Sequence, residues 1–284
     1  MRPNALKAAP CVRTELVLLC TASRETLQDA FNMKGSALAV NLSRHLTGAD
    51  RTESGNRRLG YLLAFVAGAI NAGGFLAVQQ YTSHMTGIVS QVADLIALGQ
   101  YRMAGFGLVC LCAFVSGAAC TSFLVNYARS RQLESEYAIP LLLEAALLLT
   151  FGILGAGIAQ VNGGFVTIII VLLCFVMGLQ NAVITKISGA VIRTTHVTGI
   201  ATDLGIDLGK ALFRKVGRPT TTAEIPPVTR RTPMLAMLLV TFLVGGLAGA
   251  IGFQTIGYAA TVPLAFALIA ATIMPVYDDI RRGR

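Results

Sequence analysis

Charge is scarce in this 284-residue chain: only 13% of its residues are Asp, Glu, Lys or Arg, and the mean hydropathy is +0.66. That balance argues against soluble domains, whose surfaces need far more charge. Catalytic signatures are missing too. There is no H-E-x-x-H, no G-x-S-x-G, no P-loop and no dinucleotide fingerprint, so neither an intramembrane enzyme nor an ATP-driven pump is expected. The six cysteines include no CxxC pair and no His/Cys spacing suited to zinc. Cys110, Cys112, Cys120 and Cys174 fall inside apolar runs, and Cys11 and Cys20 lie near the N-terminus; all read as inert thiols, with no metal and no cofactor expected. The net charge of +9 would suit nucleic acid, but the basic residues sit between apolar runs and form no face interleaved with aromatics. Cationic loops of a membrane protein account for that distribution, and nucleic acid is not an expected partner.

What the chain does have is length without charge. Apolar runs at about 59–80, 104–127, 138–159, 163–185, 233–254 and 257–277 each approach the roughly 20 residues that cross a bilayer. Small residues at helix-packing spacing, such as Gly245 with Gly249 and Gly152 with Ala156, let backbones approach closely. Two further segments are helix-like but short or polar. Residues 85–99 would reach only about 22 Å, against an apolar core of about 30 Å. Residues 197–213 carry Asp203, Asp207 and Lys210. If both re-enter rather than cross, and the N-terminus is cytoplasmic, nearly every Lys and Arg flanking a run faces the cytoplasm and only Arg102 falls outside. The expected fold is an all-α polytopic membrane protein with about six transmembrane helices plus two short re-entrant or half-length helices. Both termini are expected to be cytoplasmic and the location to be the inner membrane. Residues 1–58 are mixed polar and read as a mostly disordered cytoplasmic extension, within which Met33 offers an alternative start; residues 59–284 form the membrane domain.

The chain also repeats itself. "GAINA" (68–72) precedes "HMTGI" (84–88), and "GLQNA" (178–182) precedes "HVTGI" (196–200). In each half the order is apolar span, polar linker, His-x-Thr-Gly-Ile, short helix, two spans. Repeat 1 would cover about 59–159 and repeat 2 about 163–277. An odd number of spans per half turns the second copy upside down, which is the inverted-repeat architecture in which broken helices meet at a midplane site.

The motif residues suit such a site. Thr86 and Thr198 are good helix N-caps, and Gly87 and Gly199 just after them would leave backbone amides open to an anion. His84 and His196 could donate to that anion or relay a proton near neutral pH. Asn71, Gln180 and Asn181 complete the expected solute-binding set, although an asparagine in a span also serves simply to bond a neighbouring helix. Asp94, Asp203 and Asp207 are candidates for proton or ion coupling, since carboxylates inside a membrane are costly. Asp203 and Asp207 share a helix face, with Lys210 as a partner for the latter; on an interfacial helix they would be only a solvated face. Glu144, just after Pro140 at a helix start, reads as a complement to the helix dipole.

The stretches "GAINAGGF", "HMTG" and "MGLQNAVITKISGAVIRTTHVTGIATDLG" (177–205) resemble the YoaK-type family of multi-pass membrane proteins. The resemblance covers about 59–277. It implies a bacterial inner-membrane location and brings no substrate, catalytic residue or cofactor. The expected function is a secondary transporter or permease for a small polar, anionic solute, with proton coupling open. The alternative is a non-transporting scaffold or accessory subunit. Expected partners are the lipid bilayer and a small-molecule solute; a homo-oligomer stays open.

Overall fold

A computed structural model describes residues 43, 46–47, 53–158, 164–190, 192, 194–216 and 231–282. The described residues are helical, with no strand among them. The helices are α1 (Glu53–Val78), α2 (Met85–Ala97), α3 (Tyr101–Ser130), α4 (Ala138–Ile158), α5 (Gly164–Ile187), α6 (Val197–Val216), α7 (Thr232–Ile256) and α8 (Thr261–Arg281). Five stretches are long and apolar enough to cross a membrane: Glu53–Leu76, Tyr101–Ser130, Ala138–Gly155, Val166–Ile187 and Thr232–Arg281. The last has 50 residues, about 75 Å if it were one helix. It breaks instead at Gly257, whose φ of 60° suits glycine, and a short 3₁₀ turn (Gly257–Ala260) leads into α8. The chain is a polytopic all-α membrane protein.

Small residues set the packing. Gly245 and Gly249 of α7 lie against the backbone of Phe65 and Ala69 of α1, so these two helices run parallel. Gly117 of α3 lies on the Phe175 carbonyl and Gly178 of α5 on the Phe114 carbonyl; farther along, Thr121 donates to the Leu179 carbonyl and Lys186 to Asn126, so α3 and α5 run parallel as well. A side chain at any of these glycines would meet main chain, which cannot step aside. The pair Gly245 and Gly249 therefore packs as its spacing suggests. On α4, Gly152 packs against Thr261 at the start of α8; the side chain of Ala156 lies outside the described residues. Helices α1 and α5 form the centre, with 61% of each apolar stretch buried, against 28% for α3 and 17% for Thr232–Arg281. The outer helices turn Leu108, Phe123, Leu243, Leu247 and Phe266 outward. That is the expected face toward lipid.

Polar contacts gather several helix ends on one face. The Asn56 amide donates to the Ile187 carbonyl, and Lys186 donates to Asn126. The Asp279 carboxylate accepts from the backbone N–H of Glu134 and of Ser135, both at 2.9 Å. Arg282 pairs with Glu134 at 2.8 Å. The start of α7 joins the same face through its parallel run with α1. This face carries Arg57, Arg58, Arg129, Arg131, Lys186, Arg231, Arg281 and Arg282, whereas the opposite ends of the described helices carry Arg102.

Of the expected 1–58 extension, only Ser43, Leu46, Thr47 and residues 53–58 are described; Met33 lies outside. α1 starts at Glu53, inside that range. Ser43, Leu46 and Thr47 are buried, and both hydroxyls donate to the Ala271 carbonyl, at 3.0 and 2.9 Å. The reason lies four residues on. Pro275 stands inside α8 and has no N–H, so the Ala271 carbonyl loses its helical partner. Leaving a buried carbonyl unpaired costs about 1–3 kcal/mol. Two hydroxyls from the start of the chain remove that cost.

Candidate functional site

Each repeated motif begins with an asparagine on a central helix. Ser83 donates its hydroxyl to Asn71 Oδ1 at 2.8 Å, and Thr195 donates to Asn181 Oδ1 at 2.6 Å. The linker after α1, and its counterpart after α5, is thus drawn back alongside the helix it has just left. A histidine follows directly. The His84 carbonyl accepts from Ile88 N–H and the His196 carbonyl from Ile200 N–H, both at 3.1 Å, which makes each histidine the last residue before its helix. Here the structure corrects the expectation that Thr86 and Thr198 cap the helices. They occupy the second helical position, because the hydroxyl–asparagine bond pins the chain one residue before the histidine and the helix starts there. Gly87 and Gly199 have a different task as well. Each imidazole folds back over its glycine, and a methyl group at either position would collide with the ring.

The short helices then run outward from mid-depth. Val92 of α2 seats on Gly107 of α3; with the helices antiparallel, Met85 comes level with Phe114, midway along α3. Asp207 of α6 accepts from the hydroxyl of Thr232, the first residue of α7. Val197, ten residues earlier and about 15 Å deeper, comes level with Phe242. Both helix starts open on one cavity of about 840 Å³. It is lined by Asn71, His84 and Thr86 from one motif, by Asn181, His196, Thr198 and Gly199 from the other, and by Asp203 between them and the outside of α6.

Not every expected residue is there. Gly87 lines a smaller cleft of about 300 Å³ beside His84 and Tyr81. Gln180 does not line the cavity: it is buried and donates to the Leu63 carbonyl of α1 at 3.2 Å. Asp94 is exposed near the far end of α2 and lines neither space. Asp207 is 4% exposed and held by Lys210 at 3.0 Å and by Thr232, so the expected Lys210 partnership is present. Among the three aspartates, Asp203 is the one that reaches the cavity.

Sequence reasoning passed over Ser83, Thr195, Phe114 and Phe242, all of which line the cavity. Signals for them exist. A hydroxyl residue stands immediately before each motif histidine, and a phenylalanine stands three residues before each of the packing glycines Gly117 and Gly245. Among the described residues no cluster of His, Cys, Asp and Glu could hold a metal ion. Among the described residues the lining is hydroxyl, amide, imidazole, one carboxylate and aromatic rings, with no Lys or Arg.

The chain is 27% identical over 187 residues to the UPF0700 transmembrane protein YoaK of Bacillus subtilis (strain 168), a match covering 66% of this chain and 79% of that protein. No solved structure matches it. Both repeated motifs and their shared cavity fall within residues 59–274, which match the family described as "Protein of unknown function (DUF1275)", and the chain belongs to that family.

Proposed function

We propose that the chain is a secondary transporter or permease for a small polar, anionic solute, built as an inverted repeat of six spans and two half-length helices. The convergence of both motif helices on one cavity carries this reading. Two helix N-termini aimed into one space concentrate unpaired N–H groups and partial positive charge on an anion, and the two imidazoles add donors. The paired contacts support the repeat: Phe65 and Gly68 of α1 meet α7 as Phe175 and Gly178 of α5 meet α3. The basic face described above supports a cytoplasmic position for both termini in the inner membrane. Asp203 is the carboxylate best placed to respond to a bound solute.

One observation favours the alternative of a non-transporting scaffold. The motif polar groups largely satisfy one another, as Asn71 with Ser83 and Asn181 with Thr195, which is what bundle cohesion alone would require. A thermal-shift screen of the purified full chain against phosphate, sulfate and mono- and dicarboxylates separates the two readings. A transporter gives at least one stabilising anion whose shift is lost in both His84→Ala and His196→Ala. If no anion shifts the wild type, or a shift survives both substitutions, the scaffold reading stands instead.

A further inference from the structure

Glu144 lies outside everything described so far. It is the seventh residue of α4, 0% exposed, and neither carboxyl oxygen has a hydrogen-bond partner. The helix-dipole role expected for it does not hold, because dipole effects fade within the first turn and Glu144 is nearly two turns in. Among the described residues, the elements packed against α4 supply no counter-charge. α3 carries Arg102 at one end and Arg129 at the other, and Arg129 is paired with Glu136. α5 carries Cys174 and, at its far end, Lys186, which donates to Asn126. α8 has no charged residue before Tyr277, Asp278, Asp279 and Arg281, and Asp279 is taken by the backbone of Glu134 and Ser135; the 3₁₀ turn adds Tyr258.

The repeat sharpens the point. Pro140 is the third residue of α4 and Pro263 the third of α8, so the counterpart of Glu144 is Ala267. The fold therefore does not need a carboxyl at this depth. A buried carboxyl with two empty oxygens is tolerated inside a membrane protein where it binds something that enters and leaves.

We propose that Glu144 is a proton-binding group inside the bundle, apart from the cavity, and that it supplies the coupling proton for transport. The coupling role rests on the transporter reading. The test uses dicyclohexylcarbodiimide, an apolar reagent that reaches carboxyl groups inside membrane proteins and reacts with their protonated form. The carboxyl oxygen bonds to the central carbon of the reagent, the acid proton moves to a reagent nitrogen, and the adduct rearranges to a stable N-acylurea with no leaving group. Purified full-length chain is labelled across buffers from mildly acidic to mildly alkaline and the Glu144 peptide is followed by mass spectrometry. The expected result is an adduct at Glu144 that is lost on the alkaline side and absent from Glu144→Gln. An adduct that stays constant across the series marks a fixed structural acid and overturns the proposal. So does a wild type labelled at Asp94 or Asp203 but not at Glu144. Protection by sodium chloride that choline chloride does not give would identify a sodium site and overturn the proton. None of these readouts needs a transported solute, so proton binding at Glu144 can fail while the transporter reading stands, and can stand while that reading and the coupling role fall.

Discussion

Up to the glycine, the arm that leads into α2 and the arm that leads into α6 are made alike. An asparagine on a central helix accepts a hydroxyl, a histidine precedes the helix, and the imidazole covers a glycine. Beyond the glycine they part. α2 has 13 residues and its one carboxylate, Asp94, is exposed. α6 has 20, turns Asp203 into the cavity and ties Asp207 to Lys210 and Thr232. The shared part holds the chain at mid-depth, and the unshared part places charge. On the transporter reading, the shared part builds the solute cavity, and the carboxylates Asp203 and Glu144 stand where the two halves differ.

The largest expected effect comes from breaking the symmetric packing. Gly245→Leu drives a side chain into the Phe65 backbone and Gly178→Leu drives one into the Phe114 backbone. Each should cost about 3 kcal/mol, seen as a large fall in Tm or loss of the monodisperse peak on size exclusion. Gly105→Leu, with open space around it, should leave both unchanged. Unequal outcomes for Gly245 and Gly178 would show that the two halves do not share the work.

The asymmetric part comes next. Asp207→Ala removes a buried, charge-assisted pair of contacts and should cost about 1.5–3 kcal/mol. Asp94→Ala should stay within about 0.5 kcal/mol of wild type. Denaturant melts in detergent would check both. Equal losses would mean that α2 is tethered as firmly as α6.

The smallest effect tests the likeness itself. Asn71→Ala and Asn181→Ala should each cost about 1 kcal/mol per lost hydrogen bond. Asn181 stands to lose more, since its amide also donates to the Met177 carbonyl. If the hydroxyl–asparagine bonds position the histidines, any anion-induced shift in Tm should weaken in both variants by more than the stability change explains.

Much of the architecture was legible because apolar length, small-residue spacing and a duplicated motif are one-dimensional signals. The apolar stretches of a polytopic membrane protein, the packing of Gly245 and Gly249 on α1 and the Asp207–Lys210 pair could all be read that way. Helix starts could not, because Thr-Gly resembles a cap until the hydroxyl bond at Ser83 or Thr195 pins the chain three residues before the threonine. The place of Gln180 was not legible for a similar reason: its neighbour Asn181 lines the cavity, but one helical step turns Gln180 toward α1. Glu144 was hidden because burial depends on which helices close over it, and no local pattern encodes that.

The proline inside α8 ties two distant segments of the chain in time as well as in space. The helix with the missing hydrogen bond is made well after the hydroxyls that repair it, since Ser43 and Thr47 precede Ala271 by 228 and 224 residues. Until α8 inserts, Ser43 and Thr47 have no Ala271 carbonyl to hold; until they dock, α8 carries an unpaired carbonyl into the bilayer. Docking of α8 therefore draws on a segment made long before it. Replacing both hydroxyls with Ala would leave the Ala271 carbonyl without these two partners.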